Sequence, residues 1–216
     1  MHAKLPTPVV ARLTKYLVYI QDARAEGQEW VLSHELACAL GLTSSTVRQD
    51  LSYLDLSGTS KRGYETKRLE WVLSKELGAD RVANVVIVGA GNLGRALALH
   101  SGFERSGFMI CGIFDSSARV IGKWIGHLKV KGMKELSREV RVRKADIGML
   151  AVPQWSAQEA ADALVRAGVH GLLNLTPAHV RAPERVPVVD AKIITSLREL
   201  LYRMKPRRSS RRCRAR

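Results

Sequence analysis

The chain has 216 residues, 46% of them apolar, and carries 35 Lys/Arg against 20 Asp/Glu, a net charge of +15. That apolar share excludes a globally disordered chain, and the length allows one large domain or two small ones. No apolar run reaches the roughly 18 residues needed to span a bilayer, and no signal-type apolar segment follows Met1-His2-Ala3-Lys4, so no membrane partner is expected. Cys38, Cys111 and Cys213 are odd in number and far apart. They form neither a disulfide framework nor a metal-ligand spacing, which points to no metal and to a reducing, cytoplasmic setting. The charge is unevenly placed. Residues 1–83 hold 11 Lys/Arg and 10 Asp/Glu, whereas residues 205–216 hold seven Lys/Arg and no acid. A basic balance suits a polyanion partner.

Pro8 starts a predicted helix with Val9, Leu13, Leu17 and Ile20 at helical spacing, ending before Gly27. Trp30-Val31-Leu32 is a short apolar link. Ser33 reads as the N-cap of a helix carrying Leu36, Ala37 and Leu40, which Gly41 ends. Thr43 or Ser44 caps the next helix, residues 45–54. Helix, short turn with Gly, second helix is the helix-turn-helix pattern, whose second helix enters the major groove by its N-terminal residues. Ser45, Thr46, Arg48, Gln49 and Ser52 are therefore the candidate DNA-facing side chains, reaching base edges or phosphates of double-stranded DNA. The turn-rich stretch from Gly58 to Gly63 reads as a short β-wing with Lys61 and Arg62 at its tip. Residues 67–77, with Leu69, Val72, Leu73 and Leu77 on one face, read as a linker helix broken at Gly78-Ala79-Asp80.

A second domain begins near Asn84. Val85-Val86-Ile87-Val88 reads as a strand buried on both faces. Gly89-Ala90-Gly91-Asn92-Leu93-Gly94 then carries the G-x-G-x-x-G spacing, with good helix formers behind it. Gly89 permits the tight strand-to-helix turn, Gly91 lets a pyrophosphate approach the backbone, and Gly94 lets the helix pack close to the sheet. The glycine spacing alone is a weak signal. Here Ile110 to Asp115 reads as a second strand, and Asp115 lies 21 residues past Gly94, where a carboxylate binds an adenosine ribose and repels a 2′-phosphate. NADH or NAD⁺ is thus the expected ligand, ahead of NADP(H). A Gly-rich irregular stretch (Gly122, Gly126, Gly132) and a helix from about Met133 follow. Strands are read at 146–152, 171–175 and 186–190, with a helix at 157–167. The alternation predicts an α/β fold with a doubly wound parallel sheet. Ligands bind at the carboxyl ends of such strands, so Val152, Pro153, Asn174, Thr176 and Pro177 are expected at the nicotinamide half. The final helix, residues 191–204, has Ile193, Ile194, Leu197, Leu200, Leu201 and Met204 apolar, and either serves a dimer or caps its own sheet. Residues 205–216 cannot fold alone and read as a disordered basic tail.

A winged helix followed by a dinucleotide-type Rossmann domain and a terminal helix resembles the Rex family of bacterial redox-sensing transcriptional repressors. The resemblance runs from residue 5 to about 204. It rests on Val47-Arg48-Gln49-Asp50-Leu51-Ser52-Tyr53, Gly63-Tyr64, the 88–94 glycine stretch, Phe114-Asp115, Val152-Pro153 and Gly171-Leu172-Leu173-Asn174-Leu175-Thr176-Pro177. It implies a cytoplasmic homodimer with domain-swapped C-terminal helices, bound to operator DNA when NADH is scarce and released when NADH binds. It also implies a division into residues 1–80 (winged helix and linker helix), 84–190 (Rossmann-like domain) and 191–204 (dimerisation helix). The chain departs from the family in places. The wing, usually Arg-Gly-x-Gly-Tyr, is Ser60-Lys61-Arg62-Gly63-Tyr64, and the aromatic-Gly pair after Ser-Tyr is Leu54-Asp55. Some members join a Tyr and an Arg to an Asp at the start of the swapped helix. That Asp is Asp190 here, while the Tyr position holds His100 and the Arg position Val18. His100 and Asp190 are therefore the candidate switch pair, a proton-sensitive one.

Two other readings remain open in the sequence. An NAD-dependent dehydrogenase lacks room for a substrate domain after Asn84 and offers no acid–base pair better than His179. A winged-helix regulator of another nucleotide, such as a CoA-like ligand, would share the same parts. No catalytic residue is assigned.

Overall fold

The computed structural model describes residues 5–54 and 56–204; the basic tail read at 205–216 lies outside them. The chain divides between Val82 and Ala83 into two compact units, each built on cores of its own.

The first unit comprises α1 (Thr7–Ala25), β1 (Trp30–Val31), α2 (Ser33–Leu40), α3 (Ser44–Leu51), β2 (Tyr64–Glu65) and α4 (Thr66–Leu77). Along α1, Val9, Leu13, Tyr16, Leu17 and Ile20 recur at three- and four-residue steps and bury one face. Leu36 of α2 and Val47 and Leu51 of α3 close over that face. Thr43 caps α3, its Oγ1 accepting from the Thr46 N–H at 3.2 Å. Ser33 is not a cap. It is already helical, and the entry to α2 is tied by the Glu35 carboxylate, which accepts from the Leu32 N–H at 2.6 Å. Nor is α4 a mere linker. Leu69 and Leu73 are fully buried in the same core as Leu13 and Ile20, so the helix is structural to this unit. The wing forms as expected: Thr59 and Gly63 exchange N–H···O=C bonds of 2.7 and 2.9 Å, and β2 pairs antiparallel with β1.

The second unit begins with β3 (Ala83–Val88) and continues through α5 (Asn92–Ala98), α6 (Gly102–Arg105), β4 (Phe108–Asp115), β5 (Trp124–Ile125), β6 (Leu128–Gly132), α7 (Leu136–Val142), β7 (Ile147–Leu150), α8 (Ala157–Ala167), β8 (Gly171–Asn174), β9 (Val188–Asp190) and α9 (Ile193–Arg203). The sheet order is β5-β6-β4-β3-β7-β8-β9, parallel throughout except for the edge strand β5. Strand β3 lies centrally, and its side chains alternate between two cores: Val86 and Val88 face α7 and α8, while Val85 and Ile87 face the other side. Two sequence readings change, and an alternative left open is decided. The stretch from Gly122 to Gly132 is not irregular, because Leu128 and Val130 bury one face of β6 and make it the third parallel strand. Met133 opens a 3₁₀ turn, and the helix begins at Leu136. The last helix does not cap its own sheet: no residue of α9 is buried, and Ile193, Leu201 and Met204 are each about two-thirds exposed.

Candidate nucleotide site and DNA-reading surface

The strand order reverses between β3 and β7, and the cleft above that switch point is where open α/β sheets hold ligands. A cavity of about 760 Å³ lies there, lined by Gly89, Ala90 and Gly91 after β3, Asp115 at the end of β4, and Val152 and Pro153 after β7. The three glycines have three different local reasons. Gly89 has φ +107°, and a Cβ on it would stand 2.3 Å from the Ala151 carbonyl oxygen of the neighbouring strand's loop. A Cβ on Gly94 would stand 1.8 Å from the Gly89 carbonyl oxygen, so the turn and the helix touch backbone to backbone. Gly91 is the opposite case: a Cβ there would meet nothing within 4 Å. The space over Gly91 is thus open to an incoming group, beside the first N–H groups of α5.

Asp115 has a structural role of its own at this turn. Its Oδ2 accepts from the Ala90 N–H at 2.7 Å and its Oδ1 from the Ser117 N–H at 2.8 Å. The carboxylate therefore pins the glycine turn from the adjacent strand. Each oxygen keeps a lone pair for a hydroxyl donor.

Of the predicted ligand residues, Gly89, Ala90, Gly91, Asp115, Val152 and Pro153 come together at the cavity. Asn92 and Leu93 are exposed on α5 beside it, and Gly94 is a packing position. Asn174, Thr176 and Pro177 do not line it. Asn174 is fully buried. Its Nδ2 donates to the Ala178 carbonyl at 2.9 Å and to Asp190 Oδ1 at 2.7 Å, while its Oδ1 accepts from the Thr176 N–H and hydroxyl at 3.0 and 2.8 Å. Asn174, with Thr176, holds the loop after β8 to β9. Asn174, Thr176 and Pro177 stand at or after the carboxyl end of β8, as the strand pattern predicts, and every polar group of the Asn174 side chain is used inside the fold.

The switch pair is not joined within the chain. His100 packs edge-on against Phe103, with ring centroids 5.6 Å apart. Asp190 bonds Asn174 and lies 3.2 Å from the Lys192 ammonium. Partial burial pushes the Asp190 carboxyl up, but the hydrogen bonds from Asn174 and Lys192, with the lysine charge, outweigh it and hold the group below its ordinary value. His179 is exposed on the loop after β8 and lines a depression with Gln154, Gln158 and Trp155, the last of which also lines the cavity. His179 is not on the cavity, where a dehydrogenase would need its acid–base group.

In the first unit, Ser45, Arg48 and Gln49 are exposed along α3 and Thr46 is half-buried. Ser52 is exposed, but its hydroxyl donates to the Gln49 carbonyl at 2.7 Å. Arg48 reaches Ser33 Oγ at 3.3 Å, and its charge opposes the upward shift that burial gives the Tyr64 hydroxyl. The helix and the wing strand therefore adjoin. At the wing tip Lys61 has φ +62°, the left-handed conformation for which the family pattern uses Gly. Arg62 lies over the Trp30 ring, 4.2 Å from its centroid.

One feature gave no local signal. Asp50, on the inner face of α3, is 2% exposed and accepts two hydrogen bonds of 2.6 Å from the Arg12 guanidinium and one of 2.7 Å from the Tyr16 hydroxyl. Its partners lie 38 and 34 residues away. Burial raises the carboxyl, but the Arg12 and Tyr16 hydrogen bonds and the arginine charge hold it below its ordinary value. This network fixes the second helix of the helix-turn-helix to α1.

A helix-turn-helix unit with a wing, joined to a Rossmann unit with a dinucleotide-type glycine turn, defines a class: transcription regulators that answer to a nucleotide. Two family profiles match the chain, one described as a putative DNA-binding protein N-terminus over residues 4–52 and one as a CoA binding domain over residues 80–178. The chain is similar to the redox-sensing transcriptional repressor Rex of Carboxydothermus hydrogenoformans, with 38% identity over 94% of this chain and 97% of the relative. It is similar also to Rex 1 of Thermotoga maritima, with 39% identity over 97% of this chain and all of the relative. Among solved structures it resembles RSP, a Rex-family repressor, in complex with β-NAD⁺ and operator DNA (TM-score 0.86, 35% identity, 93% of each chain). It resembles RSP in complex with β-NADH comparably (TM-score 0.84, 35% identity, 93% of this chain and 94% of that one). The chain belongs to the Rex family of redox-sensing transcriptional repressors. Among the described residues no helix is long and apolar enough to cross a membrane.

Proposed function

We propose that this chain is a cytoplasmic homodimeric repressor that holds operator DNA when NADH is scarce and releases it when NADH binds. The observation that carries the reading is the glycine turn: open over Gly91, backbone-tight at Gly89 and Gly94, and held by Asp115. Those residues suit a dinucleotide. The open side of Gly91 and the N-terminus of α5 take the pyrophosphate, and Asp115 takes the adenosine ribose. The same carboxylate repels a phosphate on that ribose, which argues against NADP(H) and against a 3′-phosphorylated CoA. RSP, its relative, has been solved with β-NAD⁺ and operator DNA and with β-NADH, which supports the same ligands here.

Ser45, Thr46, Arg48 and Gln49 read the major groove, and Lys61 and Arg62 follow the backbone from the wing. Ser52 orders the end of its helix. The exposed apolar face of α9 supports residues 191–204 as the dimerisation helix, exchanged between subunits. A contact between His100 and Asp190 would be made across that dimer, since it is not made within one chain. NADH and NAD⁺ share every phosphate and ribose contact, so only a difference at the nicotinamide end and the dimer seam shifts the DNA equilibrium.

Asp115→Ala tests the ligand assignment. Calorimetric titration is expected to show NADH weakened by about 100-fold, the cost of a charge-assisted pair of hydroxyl bonds and a loosened turn. Unchanged NADH affinity would refute the placement of the ribose.

A further inference from the structure

The wing is one place where the chain departs from the family pattern, and contacts of its own hold it there. Its root is fixed. Gly63 has φ +85°, and a Cβ on it would stand 2.2 Å from the Val31 carbonyl oxygen, so the returning chain lies backbone to backbone against β1. Trp30, the residue before Val31, pairs with Glu65 of β2, and its carbonyl accepts from Gln28 Nε2 at 2.8 Å. The Trp30 indole is half-buried, and the Arg62 guanidinium lies over it, 4.2 Å from the ring centroid. Arg62 is exposed. Among the described residues no carboxylate pairs with it and its N–H groups make no hydrogen bond. Stacking on a ring uses the face of a guanidinium and leaves its in-plane N–H donors free.

We propose that Trp30 is a positioning residue for DNA: its indole holds the Arg62 guanidinium flat on the wing, with the N–H edge free to take a backbone phosphate. This rests on the operator-binding reading of the first unit. An unconstrained arginine gives up rotamer freedom when it binds, and a stacked one has given up part of it beforehand. A phosphate contact carries no sequence information, so the gain falls on any duplex alike. A cation–π contact at an exposed site is equivalent to about threefold in affinity, and the two wings of a dimer together to about tenfold.

The experiment is an anisotropy titration of the full chain and its R62A, W30F, W30L and W30L/R62A variants over a range of salt. The probes are a palindromic operator from the protein's own promoter region and a random-sequence duplex of the same length. R62A is expected to weaken both duplexes by the same factor. It is also expected to lower the slope of log affinity against log salt by about 1.8, one phosphate for each of two wings. W30L is expected to lose about tenfold on both duplexes, W30F to restore most of it, and W30L to add nothing in the R62A background. An equal loss from W30L with and without Arg62 would overturn the proposal, because it would make the indole merely structural. So would wild-type affinity in W30L, a wild-type salt slope in R62A, or an R62A loss confined to the operator, which would place Arg62 on base edges. Should W30L fail to fold in a thermal melt, R62K decides. It keeps the charge and loses the planar stack, so the salt slope is expected to stay while affinity falls about tenfold, and wild-type affinity in R62K overturns the proposal. A wild-type chain that binds neither duplex overturns the operator-binding reading itself, a different result from a binding wild type with an indifferent Trp30.

Discussion

Gly91→Val is expected to leave the Rossmann unit as stable as the wild type and to weaken NADH binding by about 100-fold or more. The two effects separate because of where a side chain would go. Gly91 has φ −71°, which valine adopts freely, and its Cβ direction is empty to 4 Å. Surface substitutions without strain or lost contacts change stability by within about 0.5 kcal/mol. The empty space is, however, the space proposed for the pyrophosphate, and an isopropyl group there displaces the ligand from the N–H groups of α5. A loss of about 100-fold or more is expected, equivalent to about 2.7 kcal/mol. Gly94→Ala is the counter-case. Its methyl would meet the Gly89 carbonyl oxygen at 1.8 Å, backbone that cannot swing aside, so the variant loses stability, by about 3 kcal/mol, as well as ligand. Thermal unfolding and NADH titration on both variants check the pair. Full NADH binding by Gly91→Val would show that the cavity holds something other than a dinucleotide in this orientation.

Asp50→Ala is expected to cost the DNA-reading unit about 2–3 kcal/mol, somewhat less than the 3–5 typical of a fully buried pair because Arg12 remains partly in water. It leaves the Tyr16 hydroxyl, 0% exposed as a residue, without its acceptor, and it frees α3 from α1. Operator affinity falls with the loss of a fixed recognition helix, while NADH titration of the second unit is unchanged. The same residue predicts an acid response. A carboxyl held below its unfolded value of about 3.9 contributes stability that is complete above that pH and is lost as pH falls through the lower, folded value. The wild-type first unit therefore loses stability below about pH 4, and Asp50→Ala, which lacks the group, shows a shallower fall. Denaturant melts from pH 6 to pH 3 measure the difference. Parallel pH profiles would show that the Arg12 pairing does not hold Asp50 charged.

The two predictions also mark what the sequence could and could not convey. The Rossmann half was legible because its determinants are local: a β-branched strand, three glycines at fixed steps, and an acid at the end of the next strand. The helix-turn-helix was legible for the same reason, through Gly41 and the Thr43 cap. What escaped was set by distance along the chain. The Arg12–Tyr16–Asp50 network joins residues more than 30 apart, and Asp50 looks like any polar residue of a DNA-facing helix until α1 is packed behind it. Strand β6 escaped because it is flanked by glycines, and only β4 beside it makes Leu128 and Val130 a buried face. Asn174 stands at a strand end, which the sequence conveys, but that its amide bonds Ala178, Thr176 and Asp190 depends on a loop the sequence leaves undefined. Lys61 shows a milder version of the same effect, since a lysine gives no sign of a left-handed backbone that the hairpin geometry imposes.

The most direct test of the whole account is operator binding. A palindromic operator from the protein's own promoter region is bound at fixed salt, because phosphate contacts make any affinity salt-dependent. NADH or NAD⁺ is then added at matched, saturating concentration. The account predicts that NADH releases the DNA and that NAD⁺ does not. Operator binding that stays equally tight with NADH demonstrably bound to the protein would contradict it, leaving a DNA reader and a nucleotide site with no coupling between them.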